Sequence, residues 1–133
     1  MIDRNEVRRL RLKADHLKLI GREFLHMPKN DVMALCNGIG PEWFPAKVRK
    51  FLDGLHPYFK ATAAIHDMMW SCGYDFSRSN DIFYINGKWE VKAMYPWYNI
   101  RRYIGIWKAW KFSRLCQRYG YSAWQAAQRK LKR

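Results

Sequence analysis

Apolar positions return every three or four residues near the start of the chain. Val7, Leu10, Ala14, Leu17 and Phe24 fall on one side, and Arg8, Arg9, Arg11, Lys13 and Lys18 fill the gaps. This period predicts an amphipathic helix with a wet, basic face. Asp3 stands as its cap with Glu6 reaching back. Pro28 is expected to end it, because the proline ring clashes with the preceding turn. Asp31 to Leu35 reads as a short helical turn, and Cys36-Asn37-Gly38-Ile39-Gly40-Pro41 predicts a tight loop. Pro45 opens a helix carrying Val48, Phe51, Leu52 and Leu55, which His56-Pro57 closes. A longer helix is expected from about Tyr58 to Cys72, with Gly73 at its C-terminal cap.

Farther along, Ser77 caps a helix through Ile85, and Asn86-Gly87 predicts a turn. Lys88 to Met94 alternates weakly, in the manner of a short strand, until Pro96 interrupts. A helix follows from about Asn99 to Tyr119, breaks at Gly120 and resumes from Ser122. Neither an internal repeat nor a low-complexity linker divides the chain. The expectation is one all-α domain over residues 1–133: a compact helical bundle with antiparallel central helices, basic at both ends, and with at most one minor β-hairpin. At 133 residues such a chain buries a core without disulfide or metal staples.

Composition changes this picture in two ways. Aromatic residues make up 17% of the chain, and such side chains favour boundaries with one apolar and one wet side as well as cores. The formal net charge is +14, which opposes the compact state by self-repulsion and points to a polyanionic partner. Phospholipid headgroups, nucleic acid and an acidic protein all qualify. The charge is uneven: no acidic residue follows Glu90, whereas Lys92, Arg101, Arg102, Lys108, Lys111, Arg114, Arg118, Arg129, Lys130, Lys132 and Arg133 do.

On a helix through residues 100 to 119, Ile104, Trp107, Lys108, Lys111, Leu115 and Arg118 fall on one broad face. A headgroup boundary accepts this mixture, since long basic stems snorkel past apolar surface; a merely solvated face is the alternative. Trp107, Lys108, Lys111 and Arg118 are the candidate lipid- or polyanion-binding residues. No apolar run is long enough to span a bilayer. No secretory signal is read at the start, so action outside a cell would need another carrier, such as a virion or a lysed host. Cys36, Cys72 and Cys116 are odd in number and suit neither a disulfide framework nor a zinc site.

Candidate chemistry gathers in the middle of the chain. His66 and Asp67 are neighbours on a helix, so they point about 100° apart and each needs its own partner. His66 precedes Cys72 by roughly 9 Å of helix, and Asp81 follows Ser77 by roughly 6 Å. If these helices pack antiparallel, Asp81 comes level with His66. A carboxylate on one imidazole nitrogen would fix the tautomer and leave the other nitrogen as a general base. Asp67 would then face the Gly38-Ile39-Gly40 loop. Calcium takes six to eight oxygens, commonly carboxylates and backbone carbonyls, and glycine can turn its carbonyls inward.

Gly38-Ile39-Gly40-Pro41, then His66-Asp67-Met68-Met69-Trp70, then Asn80-Asp81 resembles the layout of the phospholipase A2 family. The likeness is to its compact, disulfide-free versions, such as the domains embedded in parvovirus capsids. It covers roughly residues 36 to 86. A weaker likeness to small tailed-phage proteins, through the His-Asp helix and Tyr119-Gly120-Tyr121, reaches about residue 124. The resemblance implies a calcium-dependent phospholipid ester hydrolase, phage- or virus-associated. In it His66 activates water, Asp81 orients His66, and Asp67 with the carbonyls of Gly38 and Gly40 holds calcium. Trp70 stands where the family has a tyrosine, the interval before His66 is longer than usual, and the one after it is shorter.

Plainer readings stand beside these. His66 serves equally as a core histidine, Asp67 as a cap or a partner for Arg78, and Gly38 and Gly40 as shapers of a turn. His16, His26 and His56 have no carboxylate at useful spacing. There is no HExxH or phosphate-binding loop, and Ser71, Ser77 and Ser79 lack a nucleophile elbow. Three functions are therefore expected candidates: the lipid hydrolase, a non-catalytic phage virion or assembly component bound to other virion proteins, and a nucleic-acid-binding protein working by phosphate contacts and base stacking.

Overall fold

Asp3 caps the first helix as its position predicts: its carboxylate accepts from the Glu6 amide at 2.8 Å. The helix (α1, Arg4–Leu17) buries Val7, Leu10 and Ala14. It does not run on to Pro28. Lys18 takes a left-handed conformation and Gly21 another, with φ of 53° and 84°. A Cβ at Gly21 would lie 2.3 Å from the Met69 side chain, so the chain turns here by passing closely over a neighbouring helix. A 3-10 turn (Arg22–His26) follows, held by the Arg11 guanidinium, which donates to the Leu25 and Met27 carbonyls. Pro28 opens α2 (Lys29–Leu35), where a proline costs no hydrogen bond.

The computed structural model describes residues 3–35 and 58–131. The loop with Gly38 and Gly40 and the helix expected from Pro45 lie outside that range. After it come α3 (Lys60–Ser71), α4 (Phe76–Met94), α5 (Ile100–Tyr119) and α6 (Tyr121–Leu131). No strand occurs among the described residues; the protein is an all-α helical bundle.

α3 is the axis of the bundle. Residues on every side of it are buried, from Ala61 to Ser71, as expected of a helix wrapped by others. It ends in a Schellman motif: Gly73 has φ of 80°, its amide bonds the Trp70 carbonyl, and the Tyr74 amide bonds Met69 at 2.9 Å. Asp75, not Ser77, then caps α4 by accepting from the Arg78 amide at 2.8 Å.

α4 continues through Asn86-Gly87 and through the stretch expected as a strand. The Asn86 amide is used in packing: it accepts from the Ile20 N–H and donates to the Ile20 carbonyl, both at 2.8 Å. Gly87 lets Ala109 and Phe59 approach, at 2.8 and 3.3 Å from where a Cβ would stand. Tertiary contacts thus override a local turn signal. Contacts Trp70–Ser79, His66–Asn80 and Thr62–Glu90 show α3 and α4 running antiparallel. The Glu90 carboxylate, fully buried, accepts from the Thr62 amide at 2.6 Å and pairs with Lys13 at 2.7 Å. It thereby ties α1 and α4 to the electropositive first turn of α3.

α5 returns antiparallel along α4, with Ser113 donating to the Asn80 carbonyl and Gly105 set against Val91. Its inward residues are small: Gly105, Ala109, Ser113 and Cys116. Such a stripe permits a close approach of two helices and leaves the large side chains of α5 pointing elsewhere. α6 folds back after Gly120 and seals the end of α3. Trp124 donates to the Tyr74 carbonyl, and Gln128 to that of Trp70, each at 2.9 Å.

Candidate functional site

The helix carrying His66 and Asp67 forms where the sequence places it, but His66 is an interior residue, 5% exposed. Its ring is enclosed by Trp70, Phe83 and Phe112, with centroids at 4.7, 5.5 and 5.6 Å. Its Nε2 bonds the side-chain oxygen of Asn80 at 2.9 Å. Asn80 in turn donates to Gln117 at 3.0 Å, and Gln117 to the Ser77 hydroxyl at 2.9 Å. Because the Asn80 amino group is committed to Gln117, its oxygen faces the imidazole, which must carry its proton on Nε2.

Asp81 does not orient His66. It is exposed, because α4 turns about 100° per residue and the stripe facing α3 and α5 passes through Phe76, Asn80, Phe83 and Gly87. A neutral amide therefore stands where a carboxylate was expected. Burial lowers the His66 pKa to about 4, against a smaller raising effect of the Asn80 hydrogen bond. Burial likewise raises that of half-buried Asp67 to about 8. At neutral pH the pair is uncharged. The Cys116 thiol is pushed up as well, by burial and then by Asp67. Trp70, in the place of the family tyrosine, donates its indole N–H to Ser79 at 2.8 Å, and Arg78 donates to the Tyr74 hydroxyl at 3.0 Å.

Calcium fits the described part of this region poorly. Among the described residues no group of three His, Cys, Asp or Glu side chains converges, Asp81 is turned away from Asp67's neighbour His66, and Gly38 and Gly40 lie outside the described range.

The outer face of α5 is a different kind of surface. Opposite the small inward residues stand Ile100, Tyr103, Ile104, Trp107 and Trp110, all among the exposed large hydrophobics of the protein. The turn before α5 adds Trp97 and Tyr98, exposed by 72% and 74%. The Tyr103 hydroxyl donates to the Trp97 carbonyl at 2.5 Å and ties this apex to the helix. Toward the C-terminal half the same face becomes cationic. Lys111 lies over the Trp107 ring at 5.0 Å and Arg114 over the Trp110 ring at 5.9 Å, followed by Arg118. With Gln117 these side chains line a groove of about 400 Å³.

Neither the sequence nor the fold matches a known family, a curated protein or a solved structure.

The likeness to phospholipases A2 thus rests on its motif residues alone. Of the four polyanion candidates, Trp107, Lys111 and Arg118 share the outer stripe. Lys108 is rotated off it, with its ammonium 4.8 Å over the Tyr58 ring. Sequence reasoning missed Trp110, Arg114 and the aromatic apex. The signal was present: positions 103, 107, 110, 114 and 118 keep helical spacing, and the small residues at 105, 109, 113 and 116 mark the opposite, inward face.

Proposed function

We propose that this protein binds anionic phospholipid surfaces through the outer face of α5 and the aromatic turn that precedes it. One observation carries the reading: a single exposed stripe is apolar and aromatic in its first half and cationic in its second, in a part of the chain without a carboxylate beyond Glu90. Tryptophan and tyrosine settle at the headgroup level, and Lys and Arg reach the phosphates while their stems cover apolar area. Each cation near an anionic surface contributes about 1 kcal/mol. Lys111, Arg114 and Arg118 stand together on this face and would contribute about 3 kcal/mol to recruitment. No described helix is long and apolar enough to cross a membrane, so the association is peripheral. Stacking of single-stranded nucleic acid on Trp107 and Trp110 is a weaker account, since it gives no role to exposed Ile100 and Ile104.

Hydrolysis of the bound lipid, which the family likeness implies, has less behind it. His66 is sealed by three rings and bonded to a neutral amide, whereas a general base must reach the water it activates. The decisive experiment is flotation with phosphatidylcholine vesicles, with and without phosphatidylglycerol. Binding confined to the anionic vesicles, weakened by salt and accompanied by a blue shift of tryptophan emission, is the expected result. Complete displacement by single-stranded DNA, with no vesicle binding of its own, would transfer the face to nucleic acid. Fatty-acid release in millimolar calcium would restore the hydrolase.

A further inference from the structure

Val91 is the last buried residue of α4 and Gly105 the first of α5, and the two pack on each other. Between them none of residues 92–104 is buried. The end of the α4–α5 hairpin is therefore no part of the core, yet it is rich in large apolar side chains. Trp97, Tyr98 and Ile100 are exposed by 72, 74 and 72%, with Met94, Tyr103 and Ile104 exposed beside them. Packing within the chain gives this patch no role, and a contiguous apolar patch marks a contact with something outside.

The hydrogen bonds of the turn indicate what kind of contact. Backbone that enters hydrocarbon must satisfy its polar groups internally, whereas backbone facing water or a polar partner need not. The Tyr103 hydroxyl donates to the Trp97 carbonyl at 2.5 Å, and the Asn99 amide to the Pro96 carbonyl at 3.0 Å. The Asn99 side chain accepts from the Arg101 amide at 2.9 Å, and the Tyr95 amide bonds the Val91 carbonyl at 3.0 Å. Pro96 has no N–H to satisfy. Tyr103 thus commits its side-chain polar atom to the turn and leaves an exposed ring. Lys92, Arg101 and Arg102 are the charges of the segment, which holds no carboxylate, and their long stems allow the cations to stay with the phosphates.

We infer that residues 92–104 form an insertion tip that enters the acyl boundary of the bilayer, so that recruitment follows lipid packing as well as charge; the inference rests on the surface reading above. Rings entering between headgroups need gaps, which a strongly curved bilayer offers and a flat, tightly packed one does not. Cations lying on the phosphates would follow surface charge alone.

The test compares small sonicated with large extruded vesicles of one phosphatidylcholine and phosphatidylglycerol mixture at equal accessible lipid. Wild-type protein is expected to prefer the small vesicles by about fivefold or more. W97S/I100S should lose that preference and bind the small vesicles about tenfold more weakly, since two large side chains no longer leave water. R114Q/R118Q, outside the tip, should weaken binding to both sizes and keep the preference. Phosphatidylcholine brominated on its acyl chains gives the depth: it should quench the wild type, and quench W97F distinctly less at equal binding. Equal affinity for the two sizes, with W97F quenched like the wild type, overturns the insertion and leaves the surface reading standing. Should no vesicle bind, the surface reading fails instead. Dodecylphosphocholine micelles carrying an acyl-chain nitroxide then decide the tip by itself. Broadening of the Trp97 indole resonance, assigned by its loss in W97F, keeps the insertion, and its absence overturns it.

Discussion

Trp70 and the pair Trp107 and Trp110 are the same residue type put to opposite uses. Trp70 is buried between α3, α4 and α6, its indole N–H satisfied by Ser79 and its ring set against His66 and Phe76. Trp107 and Trp110 stand half-exposed on α5, each beneath a cation. Around Trp70 the titratable groups are driven toward their neutral forms by burial; around the outer pair the α5 side chains Lys111, Arg114 and Arg118 are cationic. The motif that looks chemical therefore sits in the region built for packing. The region with nothing but helical spacing to mark it presents the reactive combination of charge and apolar surface. Exposure, more than residue identity, separates the two.

The comparison breaks first if the interior is not structural. Trp70→Ala removes a large buried ring and one of the two hydrogen bonds of the Ser79 hydroxyl, which keeps its bond to the Phe76 carbonyl, and is expected to cost about 3–5 kcal/mol in urea unfolding. A change below about 1 kcal/mol would mean that the core tolerates an empty centre. His66→Ala comes next. It leaves the Asn80 oxygen unpaired among Phe83 and Phe112, at an expected cost of about 2–3 kcal/mol. The same variant should bind anionic vesicles with wild-type affinity when folded, since His66 does not reach the α5 surface. Loss of vesicle binding by a stably folded His66→Ala protein would join the two regions into one site.

Much of this architecture is legible in the sequence. The period of Val7, Leu10 and Ala14, the Asp3 cap, the Gly73 terminator and the break at Gly120 all act as local rules require. What fails is decided by contacts far along the chain. Asn86-Gly87 is a turn signal by itself, and becomes helix because Ile20 takes the asparagine amide and Ala109 needs the glycine's missing side chain. The site fails by one residue: Asn80 and Asp81 are adjacent, and the rotation that chooses between them follows from the Asp75 cap and the Phe76, Phe83 and Gly87 stripe. The outer face of α5 was legible in part: Ile104, Trp107, Lys111 and Arg118 lie on it, whereas Lys108 is rotated toward Tyr58 and Trp110 and Arg114 belong to it as well.

A smaller effect sharpens the contrast through pH. Asp67 has a folded pKa of about 8 against 3.8 for an unperturbed group. Its contribution to stability is full below the lower value and is lost as pH rises through the upper one. His66, lowered from 6.5 to about 4, contributes fully above 6.5 and loses that contribution as pH falls through 4. Between about 4 and 6.5 the two slopes oppose each other; from 6.5 to 8 Asp67 acts alone. Stability is therefore expected to fall with rising pH over that upper window, by at most about 1.4 kcal/mol per pH unit. Asp67→Asn should remove this fall and uncover the acid-side loss due to His66. Denaturation midpoints across the range check both statements, and an upper window unchanged by Asp67→Asn would place the carboxyl in water.

The smallest stability effect belongs to the outer tryptophans, and it is the most discriminating. Replacing Trp107 and Trp110 together by alanine removes rings that are half-exposed, each beneath a cation, and outside the buried clusters of the described residues. Surface changes of this kind cost little, here under about 1 kcal/mol for the pair. The small inward residues Gly105, Ala109, Ser113 and Cys116 keep α5 seated on α4 without them. Vesicle binding should nevertheless fall well beyond the change in stability, because the rings supply the apolar contact that Lys111 and Arg114 cannot. Circular dichroism and urea midpoints taken beside flotation separate the two quantities. If the double variant unfolds as readily as Trp70→Ala, the outer face is part of the core, and the distinction between the two sets of tryptophans disappears.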